Sequence, residues 1–188
     1  MIVLHAPSQP PQPWKNGGGV TRELFTDRPG DAWRLRISLA DITRDGPFSP
    51  FAGVQRWFTV VQGAGVRLSF AGGERPMTPS TPPLGFDGAD APGCQLIAGA
   101  TRDLNLMLRG VAGGMAAVLP GQPWVQRAAV RALFSVQPAQ LHIAGQAWAV
   151  DAMSLLLDTS ADAAPWTVHG NGPAWWLWAD LPPDEAPR

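Results

Sequence analysis

The sequence predicts an all-β protein, folded as a sandwich of sheets or as closed barrels. Three observations predict it. Apolar residues recur with a period of two rather than 3.6, the spacing that lines one face of a strand. Clusters rich in Gly interrupt these runs at short intervals, which is turn chemistry. Finally, 20 prolines and 21 glycines in 188 residues would break most helices of useful length. Many short strands bury their apolar faces against a second sheet, or by closing on themselves.

Along the chain, a strand is predicted first at 21–26. Residues 33–39 alternate cleanly: Trp33, Leu35, Ile37 and Leu39 share one face, Arg34, Arg36 and Ser38 the other. The runs 56–62 and 66–70 flank a turn of Gln62, Gly63, Ala64 and Gly65, and 95–98 follows. Residues 103–109 alternate again, with Leu104, Leu106 and Leu108 opposite Asp103, Asn105, Met107 and Arg109. Further strands are predicted at 115–119, 132–136, 141–144, 147–150, 154–157, 166–169 and 175–178. Only 122–132 reads as a short helix or turn. The strand–turn–strand run 57–68 is echoed at 132–148, a hint of duplication that two small packed barrels would explain. The tail from Leu181 is expected to fray.

At 20.0 kDa and 45% hydrophobic residues, the chain buries a proper core as one domain or as two small modules sharing it. A single cysteine, Cys94, excludes an intramolecular disulfide and a Cys-based zinc cage. The net charge of −1 and scattered arginines argue against a nucleic-acid partner. No run approaches the roughly 18–20 apolar residues of a membrane span, and the stretch from Met1 to Ala6 is too short for a secretion signal. His5, His142 and His169 lack metal-ligand spacing, and neither a nucleophile elbow nor a Walker or Rossmann glycine pattern occurs. The expectation is a soluble cytoplasmic protein that handles something small, with no metal and no cofactor.

Chemistry concentrates around the one lysine, Lys15, in a chain with thirteen arginines. Lys15 and Asn16 precede Gly17, Gly18 and Gly19, whose backbone N–H groups are open to a ligand; the alternative is a flexible loop. If the polar strand faces enclose a cavity, Lys15, Asn16, Arg34, Ser38 and Asn105 suit a carboxylate through charge-assisted hydrogen bonds. The alternative is a solvated sheet face. Asp45 and Ser49 are placed at a pocket mouth walled by Phe48, or Asp45 serves its turn alone. Glu23 is positioned to orient Lys15. A catalytic alternative uses Lys15, Glu23, Asp45 or Asp103 as acid or base, its Lys15 buried beside Arg34 with a lowered pKa. The run Trp175, Trp176, Leu177 and Trp178 carries aromatics on both faces and is a candidate homodimer surface.

Four blocks together resemble the HutD/Ves family of bacterial proteins: residues 14–23 (WKNGGGVTRE), 33–40 (WRLRISLA), 45–56 (DGPFSPFAGVQR) and 103–107 (DLNLM). The resemblance covers about residues 12–110. It implies a cupin-like double-stranded β-helix, two small β-barrels in one bicupin unit, divided here as 1–110 and 111–180. It also implies no established metal, an association with histidine utilisation or stress response, and a sensing or regulatory role. A ligand such as N-formylglutamate or urocanate is implied for the HutD branch. The family's shared pocket maps onto Lys15, Asn16, Arg34, Ser38, Asp45, Ser49, Arg56, Asp103 and Asn105. The expected function is metal-free binding of a small acidic metabolite, the alternative a metal-independent isomerase or hydrolase.

Overall fold

The structure, a computed structural model, describes residues 1–182; positions 183–188 of the tail lie outside the described residues. Of that tail, Leu181 packs against a core and the Pro182 carbonyl accepts a bond from Arg34. The first half contains β1 (Ile2–His5), β2 (Gln12–Pro13), β3 (Gly19–Thr26), β4 (Leu35–Ile42), β5 (Gly46–Pro47) and β6 (Val54–Gln62). There follow β7 (Val66–Phe70), β8 (Gly73–Met77), β9 (Leu84–Asp87), β10 (Gly93–Leu96) and β11 (Thr101–Arg109). The second half contains β12 (Gly113–Ala117), β13 (Val130–Ser135), β14 (Ala139–Ile143), β15 (Gln146–Val150), β16 (Ser154–Asp158), β17 (Trp166–His169) and β18 (Ala174–Ala179). Short 3₁₀ turns are the only helical elements among the described residues, so the chain is all-β as its period-two pattern requires.

The strands form four sheets. A six-stranded sheet, β2-β3-β4-β11-β6-β9, faces a four-stranded one, β5-β10-β7-β8. Phe58, Val60, Val66, Leu68, Met77, Phe86 and Cys94 fill the space between them. A five-stranded sheet, β1-β16-β13-β18-β12, faces the three-stranded β15-β14-β17, around Leu133, Leu141, Leu156, Trp166 and Trp176. The two larger sheets then pack on each other. Leu35, Ile37 and Leu39 of β4 and Leu104, Leu106 and Leu108 of β11 meet Phe134, Leu155, Leu157, Trp175 and Leu177. Strand alternation makes this possible, because each central strand sends one set of side chains into its own unit and the other into the shared core.

The halves repeat one pairing pattern. Strand β6 pairs with β9 and β11, and β7 with β8 and β10; β13 pairs with β16 and β18, and β14 with β15 and β17. Strand β1 crosses over to pair with β16, so the N-terminal strand is an edge of the five-stranded sheet. No helix forms at 122–132; Trp124 instead bridges to Trp166 in extended conformation. Strands β8 and β9 escape the sequence pattern because β8 is an exposed edge carrying Pro76 and β9 is only four residues long.

Two other expectations change. The tryptophan-rich strand is not an outer surface: β18 lies between β13 and β12, with Trp175 in the shared core and Trp176 in the C-terminal one. The fold uses those aromatics, which removes the reason to place a dimer there. Trp33 and Arg34 also leave the alternation of β4, because that strand begins only at Leu35; Trp33 packs with Val54 and Met107 instead. No helix of the described residues is long and apolar enough to cross a membrane.

One close approach fixes the loop that carries Lys15. A Cβ added at Gly19 would lie 2.3 Å from the Asp41 carbonyl oxygen, where β3 starts against β4. Gly19→Ala is therefore expected to cost roughly 2 kcal/mol by overpacking backbone that has no room to yield. A thermal melt superimposing on wild type would contradict this.

Candidate functional site

A cavity of about 550 Å³ opens inside the N-terminal unit, on the face of β4 and β11 turned away from the shared core. Its floor follows from register. Asn105 of β11 lies opposite Ser38 of β4 on one side and Phe58 of β6 on the other. Two residues along, Met107 lies between Arg36 and Arg56. Phe48, Phe51 and Phe58 supply apolar wall, and Trp14 is clamped at the other side by a 2.8 Å hydrogen bond from Nε1 to Thr21 Oγ1.

The two guanidinium groups differ in how their charge is met. Arg36 donates through Nε to Glu23 Oε2 at 2.9 Å, so its charge is balanced by an acid on β3. Glu23 thus serves Arg36, not Lys15. Arg56 is 7% exposed, donates through Nη2 to Asn105 Oδ1 at 3.0 Å, and lies over the Phe48 ring at 4.8 Å. Among the described residues no carboxylate pairs with it, and its buried Nε has no hydrogen-bond partner. Burial, reinforced by the neighbouring Arg36 charge, pushes the Arg56 guanidinium down to about 10. It stays charged at neutral pH, as an uncompensated cation in a largely apolar hollow.

Of the residues singled out from the sequence, Lys15, Asn16, Ser38, Phe48, Ser49, Arg56 and Asn105 line this cavity. Lys15 is exposed at its rim, not buried beside Arg34. Asn16 Oδ1 accepts from the Gly18 N–H at 3.0 Å and closes the turn. Gly17 and Gly18 lie off the cavity: Gly17 takes the left-handed φ of +67°, and the Gly18 carbonyl accepts from the Thr43 N–H. Arg34 also lies elsewhere, because Asp27 accepts from its backbone N–H at 2.8 Å and its Nε at 2.9 Å. Asp45 Oδ1 caps the Leu96 N–H at 2.8 Å outside the cavity. Asp103 shares the Asn105 face of β11 but is fully buried beyond the cavity lining, bonded by Thr101 Oγ1 at 2.9 Å.

Among the lining residues the sequence did not single out are Arg36, Trp14 and Thr21, together with the apolar Phe51, Phe58 and Met107. The signal for Arg36 was present, since it alternates in step with Ser38. Trp14 and Thr21 meet only through the turn between them. Acid–base chemistry loses its expected carboxylates: Glu23 is engaged by Arg36, and neither Asp45 nor Asp103 lines the cavity. Metal binding finds no support in the donor set either. The lining has no His, Cys or carboxylate, and the described residues hold no group of three or more His, Cys, Asp or Glu placed for a metal. Cationic and amide donors fit an anion.

Residues 6–176 match the sequence pattern of HutD. The chain belongs to the HutD family. An uncharacterized 21.2 kDa protein from the hutC 3′ region of Pseudomonas putida is 46% identical over 114 residues, 56% of each chain. Protein Ves of Escherichia fergusonii is 31% identical over 98 residues, 51% of each. The chain thus spans about half the length of the curated relatives it matches. The solved HutD structure from Pseudomonas fluorescens SBW25 superimposes with a TM-score of 0.83 at 30% identity, over 95% of this chain and 97% of that one. A cupin 2 conserved barrel domain protein from Leptotrichia buccalis gives a TM-score of 0.56 at 9% identity, over 86% and 89%, a likeness of fold alone. The HutD-family fold seen here is therefore cupin-like.

Proposed function

We propose that this HutD-family chain binds a small carboxylated metabolite in its N-terminal cavity, and that binding serves sensing or regulation in histidine utilisation. N-formylglutamate and urocanate are the candidate ligands. The observation that carries the reading is Arg56, a buried guanidinium facing a cavity with no acid among the described residues to balance it. Burying a cation costs several kcal/mol unless a partner anion repays it, and a ligand carboxylate on Arg56, Asn105 and Ser38 would be that partner. The aromatic wall would then hold the apolar body of the ligand. Two further supports are the hutC-region relative and the family match. The repeated strand pairing supports the bicupin reading of the two units.

Thermal melts and calorimetry with both acids test this. At a concentration of about 100 times the dissociation constant, a bound acid is expected to stabilise the protein by roughly 2.7 kcal/mol. Lys15→Ala, which removes a rim charge screened by solvent, is expected to weaken binding only a few-fold and to reduce its salt dependence. Absence of any shift across a panel of small carboxylates would remove the reading.

A further inference from the structure

The C-terminal unit has a place equivalent to this cavity, and register identifies the residues around it one by one. Asn105 lies between Ser38 and Phe58; Trp178 lies in the same way between Gly114 and Arg131. Asp103 lies between Ala40 and Val60, and Trp176 between Ala116 and Leu133. The wall residue Phe48 donates its N–H to the Pro92 carbonyl at 3.0 Å, just before β10. Its counterpart Trp124 donates to the Trp166 carbonyl at 2.7 Å, at the start of β17. Two polar floor residues of the first unit thus have apolar counterparts in the second, Trp178 for Asn105 and Gly114 for Ser38, while Arg131 stands in the place of Phe58 and pairs with Asp158 at 3.8 Å.

What fills the space is indole. The Trp124 ring stacks on Trp176 at 4.6 Å with parallel planes, and sits 5.9 Å from Trp166 and 6.2 Å from Trp178. Trp178 lies so close over Gly114 that a Cβ there would come within 2.5 Å of its ring. Beneath them Arg131, 1% exposed, lies 4.7 Å over Trp166 and gives its Nη1 hydrogen bond to the Ala164 carbonyl at 2.7 Å. Trp124 reaches this cluster from a segment that belongs to no strand, held by the two-way bridge to Trp166. It is the one member of the cluster that does not sit in a strand.

We propose that the C-terminal unit holds a second binding site, aromatic rather than anion-binding, which the chain occupies with its own Trp124 side chain. A flat aromatic molecule of indole size is what this site accepts once that side chain is removed. Trp124 is partly buried, so its truncation leaves a hollow open on one side, whose rigid aromatic walls collapse only partly and offer stacking surface to an apolar ring.

The test is Trp124→Ala in the full chain with indole as the probe. The variant is expected to melt roughly 10 °C below wild type. Indole at millimolar concentration is expected to restore much of that loss, to bind one equivalent per chain beyond whatever wild type binds, and to regain the near-ultraviolet circular dichroism of the stacked pair. The exposed Trp148 provides the control: Trp148→Ala should gain no site. Should Trp124→Ala not fold alone, recovery of folding with indole supports the proposal, and Trp124→Leu carries the binding measurement. A folded variant with no extra equivalent, or an equal gain in Trp148→Ala, overturns it.

Discussion

Arg56→Met is expected to weaken carboxylate binding by about 100-fold or more while leaving the protein as stable as wild type, or more stable. The two halves of this result come from one fact. Among the described residues the buried guanidinium has no acidic partner, so it costs desolvation energy that the bond to Asn105 and the contacts with the Phe rings return only in part. Methionine keeps the flexible apolar stem against Phe48 and Phe86 and removes that cost. The ligand, by contrast, loses its charge partner in a low-dielectric hollow, typically worth 2–5 kcal/mol. Calorimetric titration and a melting curve on the same sample read both. Affinity unchanged by the substitution would show that the cavity is not where the anion binds. Loss of folding would show that Arg56 is held for structure.

Stability is expected to fall as the pH rises from about 4 to about 8, and Asp103→Asn is expected to flatten that slope. Burial, with the nearby Asp41 charge adding and the Thr101 hydrogen bond opposing, pushes the Asp103 carboxyl up to about 8 from an ordinary 3.8. In the unfolded chain it ionises near 3.9. Between these values the folded state holds a proton the unfolded state has released, so each rise in pH favours unfolding. The contribution is complete below about 4 and gone above about 8. Its size is on the order of several kcal/mol. Asp27 and Asp41 act in the other direction and only in acid. Burial alone would raise both, but the bonds from Leu35 and Arg34 to Asp27, and from Arg102 and Arg22 to Asp41, hold them below the usual carboxylate range. Their stabilisation is lost as the pH falls through those lowered values. Melts of the wild type and Asp103→Asn across this range decide the matter; parallel curves would mean that Asp103 ionises normally.

Much of the candidate site was legible because strand alternation is a local rule. The leucines of β4 and β11 went to one side and Ser38 and Asn105 to the other, as a period of two requires. Arg34 went astray for a reason that alternation cannot contain. It stands before the strand begins, and the carboxylate that captures it, Asp27, comes from the preceding strand end. Gly17 and Gly18 looked like an open cradle, yet the hydrogen bonds that occupy them run to Asn16, Trp14 and the segment after β4. Asp45 went to the backbone of β10, far off in the chain.

Read as a string of residues, the chain committed itself to β structure, to a two-faced arrangement of its central strands, to a doubled plan and to the HutD family. The first three follow from spacing and turn chemistry, which act over a few residues at a time; the family follows from the resemblance of four sequence blocks. Which arginine lacks an acid, which glycines are consumed by turns, and which of two similar units stays hollow depended on partners brought together from distant strands. Arg36 found Glu23 and Arg56 found none; Asn105 left room above Ser38, while Trp178 covered Gly114. Charge balance and packing volume are properties of the assembled neighbourhood, so they appear only once the sheets have closed on each other.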